Sequence, residues 1–433
     1  MKNIIQSLSR RQLIQLAAAG VAAPTAALTL TGCSQSGRKG APSVIVIGGG
    51  FGGSAAAKYL KRYNAELNVT LIEPNKTYVT CPGSNWVIGG IAEMTQITHN
   101  YDAAKKNGIN VIHEMVTSVD PEKQTVTLSG GKTLTYDKLV MSPGIDFKLD
   151  VHEGVDQDTE NHLPHAYKAG DQTILLRDQL RAMKDGGMFV MVAPPNPFRC
   201  PPGPYERAGM IAHYLKNNKP KSKILILDQK NAFSKQGLFQ EGWRNSYGQM
   251  IEWVAMQDGG EVKGFDVANK TIDSGYGQVK ADVINYIPPQ KAGKLAFSVG
   301  LTDESGFCPV NQQTFESSIH KNIHVIGDAS IASPMPKSGH SATSQAKTTA
   351  ANIVLELAGQ EAISAKNVNT CYSLVTPDYA ISVAAVYDFK DGKIGAVQGA
   401  GGVSPMGASP EFRKQEAEYT RGWYRSITNE VWG

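Results

Sequence analysis

Two hydrophobic patterns alternate along the early part of the chain. Ser43-Val-Ile-Val-Ile47 is an unbroken apolar, β-branched run, the pattern of a strand covered on both faces in a parallel sheet. Gly48-Gly-Gly-Phe-Gly-Gly53 interrupts it, Ser54-Ala-Ala-Ala-Lys-Tyr-Leu-Lys-Arg62 reads as a helix, and Val69-Thr-Leu-Ile72 is a second strand closing at Glu73. This is a βαβ unit of about thirty residues. The pattern recurs at Met188-Phe-Val-Met-Val-Ala193, with a helix from Pro204 to Lys216 and a strand at Ile224-Leu-Ile-Leu227. Lys321–Asp328 returns to strand character and leads into a helix near Lys337–Leu357. Beyond about residue 360, Ile381–Phe389 and the segment from Ile394 flank Asp391-Gly392, which predicts an antiparallel hairpin.

The first unit carries Gly48-x-Gly50-x-x-Gly53 between strand and helix, with Glu73 ending the next strand. Glycines there permit a tight turn, close approach of backbone to a pyrophosphate, and close helix packing, while an acidic residue at Glu73 accepts ribose hydroxyls. The motif predicts a dinucleotide site. FAD is preferred to NAD because Gly327-Asp328 ends a late strand, where flavoproteins with two dinucleotide domains bring an Asp to the ribityl chain; the alternative for Asp328 is a simple helix cap. Met141-Ser-Pro-Gly144 fits the strand-to-linker turn of the same frame. The second unit lacks a glycine fingerprint. Its strand runs into Pro194-Pro-Asn-Pro-Phe-Arg-Cys-Pro-Pro-Gly-Pro204, and prolines have no amide donors for a pyrophosphate. Electrons are therefore expected from a donor other than nicotinamide. The fold class that follows is α/β: two Rossmann-like dinucleotide-binding domains of the FAD-dependent pyridine nucleotide-disulfide reductase type, plus a C-terminal α+β interface domain. The FAD-binding domain is expected at 41–165 and 295–358, the second at 166–294 and the interface domain at 359–433.

Length and composition agree with several packed units: 433 residues, 41% hydrophobic and 19% charged. The formal charge of +4 is misleading, because residues 1–40 carry Lys2, Arg10, Arg11, Arg38 and Lys39 and no acid. The remainder is nearly neutral and offers no electrostatic footprint for nucleic acid. Arg10-Arg11, followed by an Ala-rich and weakly apolar run broken by Pro24, reads as a twin-arginine export signal, which predicts a periplasmic protein with no transmembrane span in the mature chain. Leu30-Thr-Gly-Cys33 resembles a lipoprotein cleavage box. Either Cys33 becomes a lipid anchor or it is discarded with the leader. The other cysteines are 81, 200, 308 and 371; no Cys-x-x-Cys pair argues for zinc or iron–sulfur, and no Cys-x-x-Cys-His attaches a c-type haem. The histidines, His162 and His165 included, show no metal-ligand spacing, so no metal is expected.

Four segments make a resemblance specific: Tyr78-Val-Thr-Cys81, Phe198-Arg-Cys-Pro-Pro-Gly-Pro-Tyr-Glu-Arg207, Pro334-Met-Pro-Lys-Ser338 and Asn369-Thr-Cys-Tyr-Ser373. In order and spacing, from about residue 43 to the C-terminus, they resemble the flavoprotein subunit of flavocytochrome c sulfide dehydrogenase, a relative of the sulfide:quinone oxidoreductases. The resemblance implies that Cys81 carries FAD through a thioether, against the plainer alternative of a free buried thiol. It implies that Cys200 and Cys371 meet over the flavin as a redox disulfide opened by hydrosulfide, against a purely structural cross-link. Cys308, in Gly306-Phe-Cys-Pro-Val310, reads as a buried small hydrophobe, the alternative being a competing disulfide partner.

Three further residues have two readings each. Glu206 is a general base for hydrogen sulfide or a carboxylate complementing its helix dipole. Lys337 stabilises reduced flavin or is a solvated lysine. Trp423 lines an electron exit towards a haem or packs in the core. The function implied is sulfide oxidation to persulfide or polysulfide sulfur, with electrons leaving to a separate c-type cytochrome subunit. Delivery to membrane quinone is the first alternative, for which the tail Glu411-Phe-Arg-Lys-Gln-Glu-Ala-Glu-Tyr-Thr-Arg421 is too charged to read as a membrane-inserting helix pair. An exported flavin electron carrier is the second.

Overall fold

The computed structural model describes residues 40–433. Arg10-Arg11 and Cys33 lie outside the described residues.

The predicted βαβ unit forms as β1 (Ser43–Ile47), α1 (Phe51–Tyr63) and β2 (Asn68–Ile72), followed by β3 (Asn110–Ile112) and β4 (Lys138–Met141). A short helix, α2 (Ser84–Ile88), stands between β2 and β3, and α3 (Asp171–Ala182) leads into the second unit. That unit contains β5 (Met188–Ala193), α4 (Gly203–Asn218), β6 (Lys223–Asp228), α5 (Gln236–Tyr247), β7 (Ile251–Val254) and β8 (Val283–Tyr286). Its sheet runs β7-β6-β5-β8 with every pairing parallel. The chain then returns to the first sheet with β9 (Ile323–Val325), completing a parallel order β9-β4-β1-β2-β3. Such strands, covered on both faces, explain the unbroken apolar runs: Val44, Ile45, Val46 and Leu139 through Met141 are all essentially inaccessible. After β9 comes α6 (Gly339–Leu357), which packs on α1 through Ala55, Ala56, Ala57 and Leu60 against Ala342, Ala346, Ala350 and Ile353.

The last unit is an antiparallel sheet, β10 (Asn367–Thr376), β11 (Tyr379–Lys390) and β12 (Lys393–Val403). Its predicted hairpin turns at Asp391 and Gly392, with φ of 51° and 78°, the paired left-handed values that match the twist of the flanking strands. The tail, too charged to read as a membrane-inserting helix pair, packs on the protein. Residues Pro410–Trp432 form one long helix, α7, with a face buried on the rest of the molecule. The inner face carries charge: Arg413 is fully buried and bonds Glu241 and Glu416, each at 3.1 Å. At the far end Trp432 packs against Phe51 and Tyr78, with ring centroids 4.9 and 5.1 Å away. A helical period explains why polar residues so dense in sequence still leave a buried stripe. Among the described residues, no helix is long and apolar enough to cross a membrane.

The β1–α1 turn depends on its third glycine. A Cβ on Gly53 would stand 1.8 Å from the Gly48 carbonyl oxygen, whereas one on Gly402 meets nothing within 4 Å. Gly53→Ala is expected to destabilise the chain by about 3 kcal/mol or more, and Gly402→Ala to stay within about 0.5 kcal/mol of the parent, as read from denaturant unfolding.

Candidate active site

A cleft of about 690 Å3 runs from the β1–α1 turn to the C-terminal sheet. At one end Gly48 takes φ of 98°, and a side chain there would meet the Ser142 carbonyl at 2.3 Å. Glu73 accepts from the Gly49 amide at 2.8 Å and from the Asn75 amide and side chain at 2.9 Å, which pins the acidic residue beside the turn. The N-terminus of α1 has no side-chain cap, leaving its first amides to face a phosphate.

At the other end stand Gly327 and Asp328, Cys81, Arg199, Cys200, Glu206, Cys371 and Trp423, all of which line the same cleft. Asp328 Oδ1 and the Arg199 Nε and Nη2 are buried without a hydrogen-bond partner, and the pair approaches only to 3.9 Å. Burial raises the Asp328 carboxyl above its ordinary range, although Arg199 and Lys337 oppose the shift. Polar atoms left unmatched in this way await a ligand with donors and acceptors of its own.

The described cysteines are thiols. Cys81 directs its sulfur to the Tyr167 carbonyl at 3.2 Å. Cys200 has φ of 53°, unusual for a residue with a side chain, and its amide donates to the Lys337 carbonyl at 2.7 Å. The neighbouring Ser338 hydroxyl donates to Asn369 Oδ1 at 2.6 Å, and the Asn369 amide reaches the Cys371 sulfur at 3.4 Å. One dipeptide before α6 therefore anchors the surroundings of both cysteines. Burial raises both thiols, and for Cys371 the Lys235 ammonium and the bonds from Asn369 and Ser338 work against that rise.

Glu206 lies in the first turn of α4 but does more than face its helix dipole. Its carboxylate points into the protein and accepts from Asn85 at 2.9 Å, Trp86 at 3.3 Å and the Leu374 amide at 3.0 Å. Burial raises its pKa despite those bonds. Trp423 lines the cleft with an indole N–H that finds no partner.

Lys337 is neither a cleft residue nor solvated. Its ammonium donates to the Asp328 and Ser330 carbonyls at 2.8 and 2.9 Å and lies over the Phe307 ring, 3.9 Å from its centre. Burial brings it down to about 8. It acts as a strut that fixes the Asp328 turn to the Cys200 loop. Cys308 is fully buried on the same side, as its surroundings in sequence implied, with its thiol pushed up to about 12 by burial.

Sequence reasoning missed Arg199, Asn369 and Lys235. Arg199 adjoins Cys200, a signal that was available; Lys235 lies 136 positions from Cys371, and only the fold joins them. In the second unit, the carboxylate ending β6, where a nucleotide-binding strand offers an acid to ribose, is already committed. Asp228 accepts from Tyr205 at 2.5 Å, Lys230 at 2.5 Å and Trp253 at 2.8 Å, and Lys230 also bonds the Pro194 carbonyl.

A glycine cradle with an acid at one end, and an unmatched Asp–Arg pair and thiols at the other, fits an extended dinucleotide such as FAD. Fold and site together define a flavoprotein of the pyridine nucleotide-disulfide oxidoreductase class, whose family model matches residues 42–180. The model for the central part of the sulfide dehydrogenase [flavocytochrome c] flavoprotein chain matches 173–288, and that for the flavocytochrome c sulphide dehydrogenase flavin-binding region matches 363–432. The chain is a flavoprotein related to flavocytochrome c sulfide dehydrogenase and to the sulfide:quinone oxidoreductases. It is 23% identical to the mitochondrial sulfide:quinone oxidoreductase of Dictyostelium discoideum over 335 residues, 73% of this chain and 71% of that protein. A sulfide dehydrogenase [flavocytochrome c] flavoprotein sequence from Chlorobaculum thiosulfatiphilum is 52% identical over 48 residues, 11% of this chain and the whole of that sequence. The solved sulfide:quinone oxidoreductase from Aquifex aeolicus shares the fold, with a TM-score of 0.72 and 18% identity over 90% of this chain and 92% of that one.

Beneath the Cys200 loop, the inaccessible Arg207 bonds Asn85, Asn285 and the carbonyls of His165 and Ala166, tying α2, α4, β8 and the 165–166 segment together. Arg207→Met strands three buried acceptors, the His165 carbonyl keeping its bond from Asn285, and is expected to cost about 3 to 5 kcal/mol in urea unfolding.

Proposed function

We propose that the chain is an exported sulfide dehydrogenase flavoprotein. In this reading hydrosulfide opens a Cys200–Cys371 disulfide, and two electrons pass through FAD to a separate c-type cytochrome subunit. The observation that carries it is the convergence of Cys81, Cys200, Cys371 and Glu206, drawn from three regions of sequence, on one cleft headed by the Gly48–Gly53 turn.

Hydrosulfide attack on one cysteine sulfur forms a new S–S bond while the Cys200–Cys371 bond breaks. The displaced sulfur keeps the bonding electron pair as a thiolate, so the single negative charge that enters as hydrosulfide leaves on that thiolate and the hydrogen stays on the persulfide. Glu206, with its proton affinity raised by burial, takes the proton when the incoming species is hydrogen sulfide. FAD, when bound, supplies a two-electron acceptor that releases electrons singly. Gly48, Gly50, Gly53 and Glu73 would hold its pyrophosphate and ribose end, and Asp328 with Arg199 its polar middle.

Cys81 is the proposed covalent tether of the flavin, useful in a compartment where lost cofactor is not replaced. The acceptor is assigned to a second chain because this one has no haem attachment motif. Trp423, on α7, lines the cleft and is the proposed exit. Delivery to quinone is disfavoured by α7, whose less polar face is already buried in the protein. The twin arginines assign the enzyme to the periplasm, with Cys33 available for a lipid anchor.

Cys371→Ser is expected to abolish bleaching of the bound flavin by sulfide, followed anaerobically in a stopped-flow spectrophotometer. An unchanged bleaching rate rules out the disulfide route. The pH profile of the same half-reaction should rise through an acid limb lying above the ordinary carboxylate range, because burial delays ionisation of Glu206 and its base form appears only past that point. Glu206→Gln should remove this limb and leave the rest of the profile in place.

A further inference from the structure

Cys200 and Cys371 share a cleft but not an electrostatic setting. Around Cys200 the charged and titratable neighbours are Cys371, Glu206 and Cys81, which disfavour a negative sulfur, Arg199, which favours one weakly, and also Tyr167, Arg207 and Lys235, the last acting more strongly on Cys371 than on Cys200. Around Cys371 they are Lys235 from the segment before α5 and Glu206 from α4, with Tyr387 on the neighbouring strand and the neutral donors Asn369 and Ser338.

Lys235 is built into that position. It takes the left-handed backbone conformation, φ 61°, immediately before α5, an arrangement rarely adopted by a residue with a long side chain. From there its ammonium crosses to the C-terminal sheet, donating to Ser373 Oγ at 2.9 Å and the Cys371 carbonyl at 3.3 Å, with Ile381 O at 3.5 Å. It forms no ion pair among the described residues. The acids nearest it are otherwise engaged: Glu206 by Asn85, Trp86 and the Leu374 amide, and Glu416 by Arg413 and Ser382. A partly buried cation held by neutral acceptors keeps its field, and the thiol that field acts on most strongly is Cys371, on the strand it grips.

We propose that Lys235 is the counter-charge of the Cys371 sulfur, a positioning residue that makes Cys371, and not Cys200, the site of negative charge when the pair is reduced. The inference rests on the two-cysteine reading of the cleft and adds an asymmetry to it. Lys235 touches neither the cleft nor a cofactor and acts through Cys371. Burial brings its own ammonium down to about 8, so its support for an anionic sulfur is full below that pH and fades above it.

The test uses the flavin-loaded chain, reduced anaerobically with a phosphine and treated with iodoacetamide over a range of pH, with each cysteine peptide quantified by mass spectrometry. In the parent, Cys371 should be alkylated with a lower pH midpoint than Cys200. In Lys235→Met the Cys371 midpoint should rise by about one pH unit, slowing its alkylation about tenfold below that midpoint, while the Cys200 midpoint moves less. An unchanged Cys371 profile in the variant overturns the proposal. So does a parent in which Cys200 is the more acidic thiol, a comparison that decides the matter even if Lys235→Met does not fold. Omitting the phosphine tests the disulfide separately: full alkylation of both thiols without reductant ends the disulfide reading and leaves the result on Lys235 intact.

Discussion

The dipeptide Lys337-Ser338 is the constraint on which the site depends. Its carbonyl holds the Cys200 amide, its hydroxyl orients Asn369 towards the Cys371 sulfur, and its lysine side chain clamps the Asp328 turn. Segments about 140 and 30 residues away are thereby referred to the same few atoms, immediately before α6. A loop rich in proline on one side and a β-strand on the other are stiff partners for this junction. The consequence is a sulfur pair whose surroundings share one anchor.

The two α/β units solve the same folding problem and use the crevice at their strand ends in opposite ways. In the first, glycines remove side chains where β1 meets α1, and the acid ending β2 stays beside the opening. In the second, the corresponding acid, Asp228, is buried under Tyr205, Trp253 and Lys230. Four polar groups satisfy one another there, which stabilises the unit and leaves no acceptor for a second dinucleotide. The second domain thus serves as a rigid mount for Cys200 and Glu206.

What sequence made legible follows the range of the interactions involved. Strands β1, β2, β5 and β6 could be read because burial on both faces leaves continuous apolar runs, and the Asp391-Gly392 turn because two adjacent positive φ values favour such residues. The glycine turn was legible for the same local reason. Lys337 was misjudged because its role depends on the Asp328 and Ser330 carbonyls and the Phe307 ring, none of which its own neighbours predict. Helix α7 was hard to read because its buried stripe includes Arg413 and Glu416, so that a hydrophobic pattern understates how much of it is covered. Lys235 left no local trace at all: its partners lie on β10 and β11, and only tertiary packing brings them to it.

The charges at the thiol end of the cleft are arranged so that they do not cancel. Arg199 and Asp328 approach to 3.9 Å and each retains unmatched atoms. Glu206 and Lys235 are held by amides, an indole, a hydroxyl and carbonyls, not by each other. A tight ion pair would have been the easier way to bury two opposite charges, but its field outside the pair would be small. Holding each charge by neutral dipoles leaves fields that reach beyond it: Lys235 favours the charged forms of both Glu206 and Cys371, while Glu206 opposes a negative Cys371 sulfur. Charge at the Cys371 sulfur and protonation at Glu206 are thereby coupled through one ammonium, which suits a site where bond exchange at sulfur and proton transfer occur side by side.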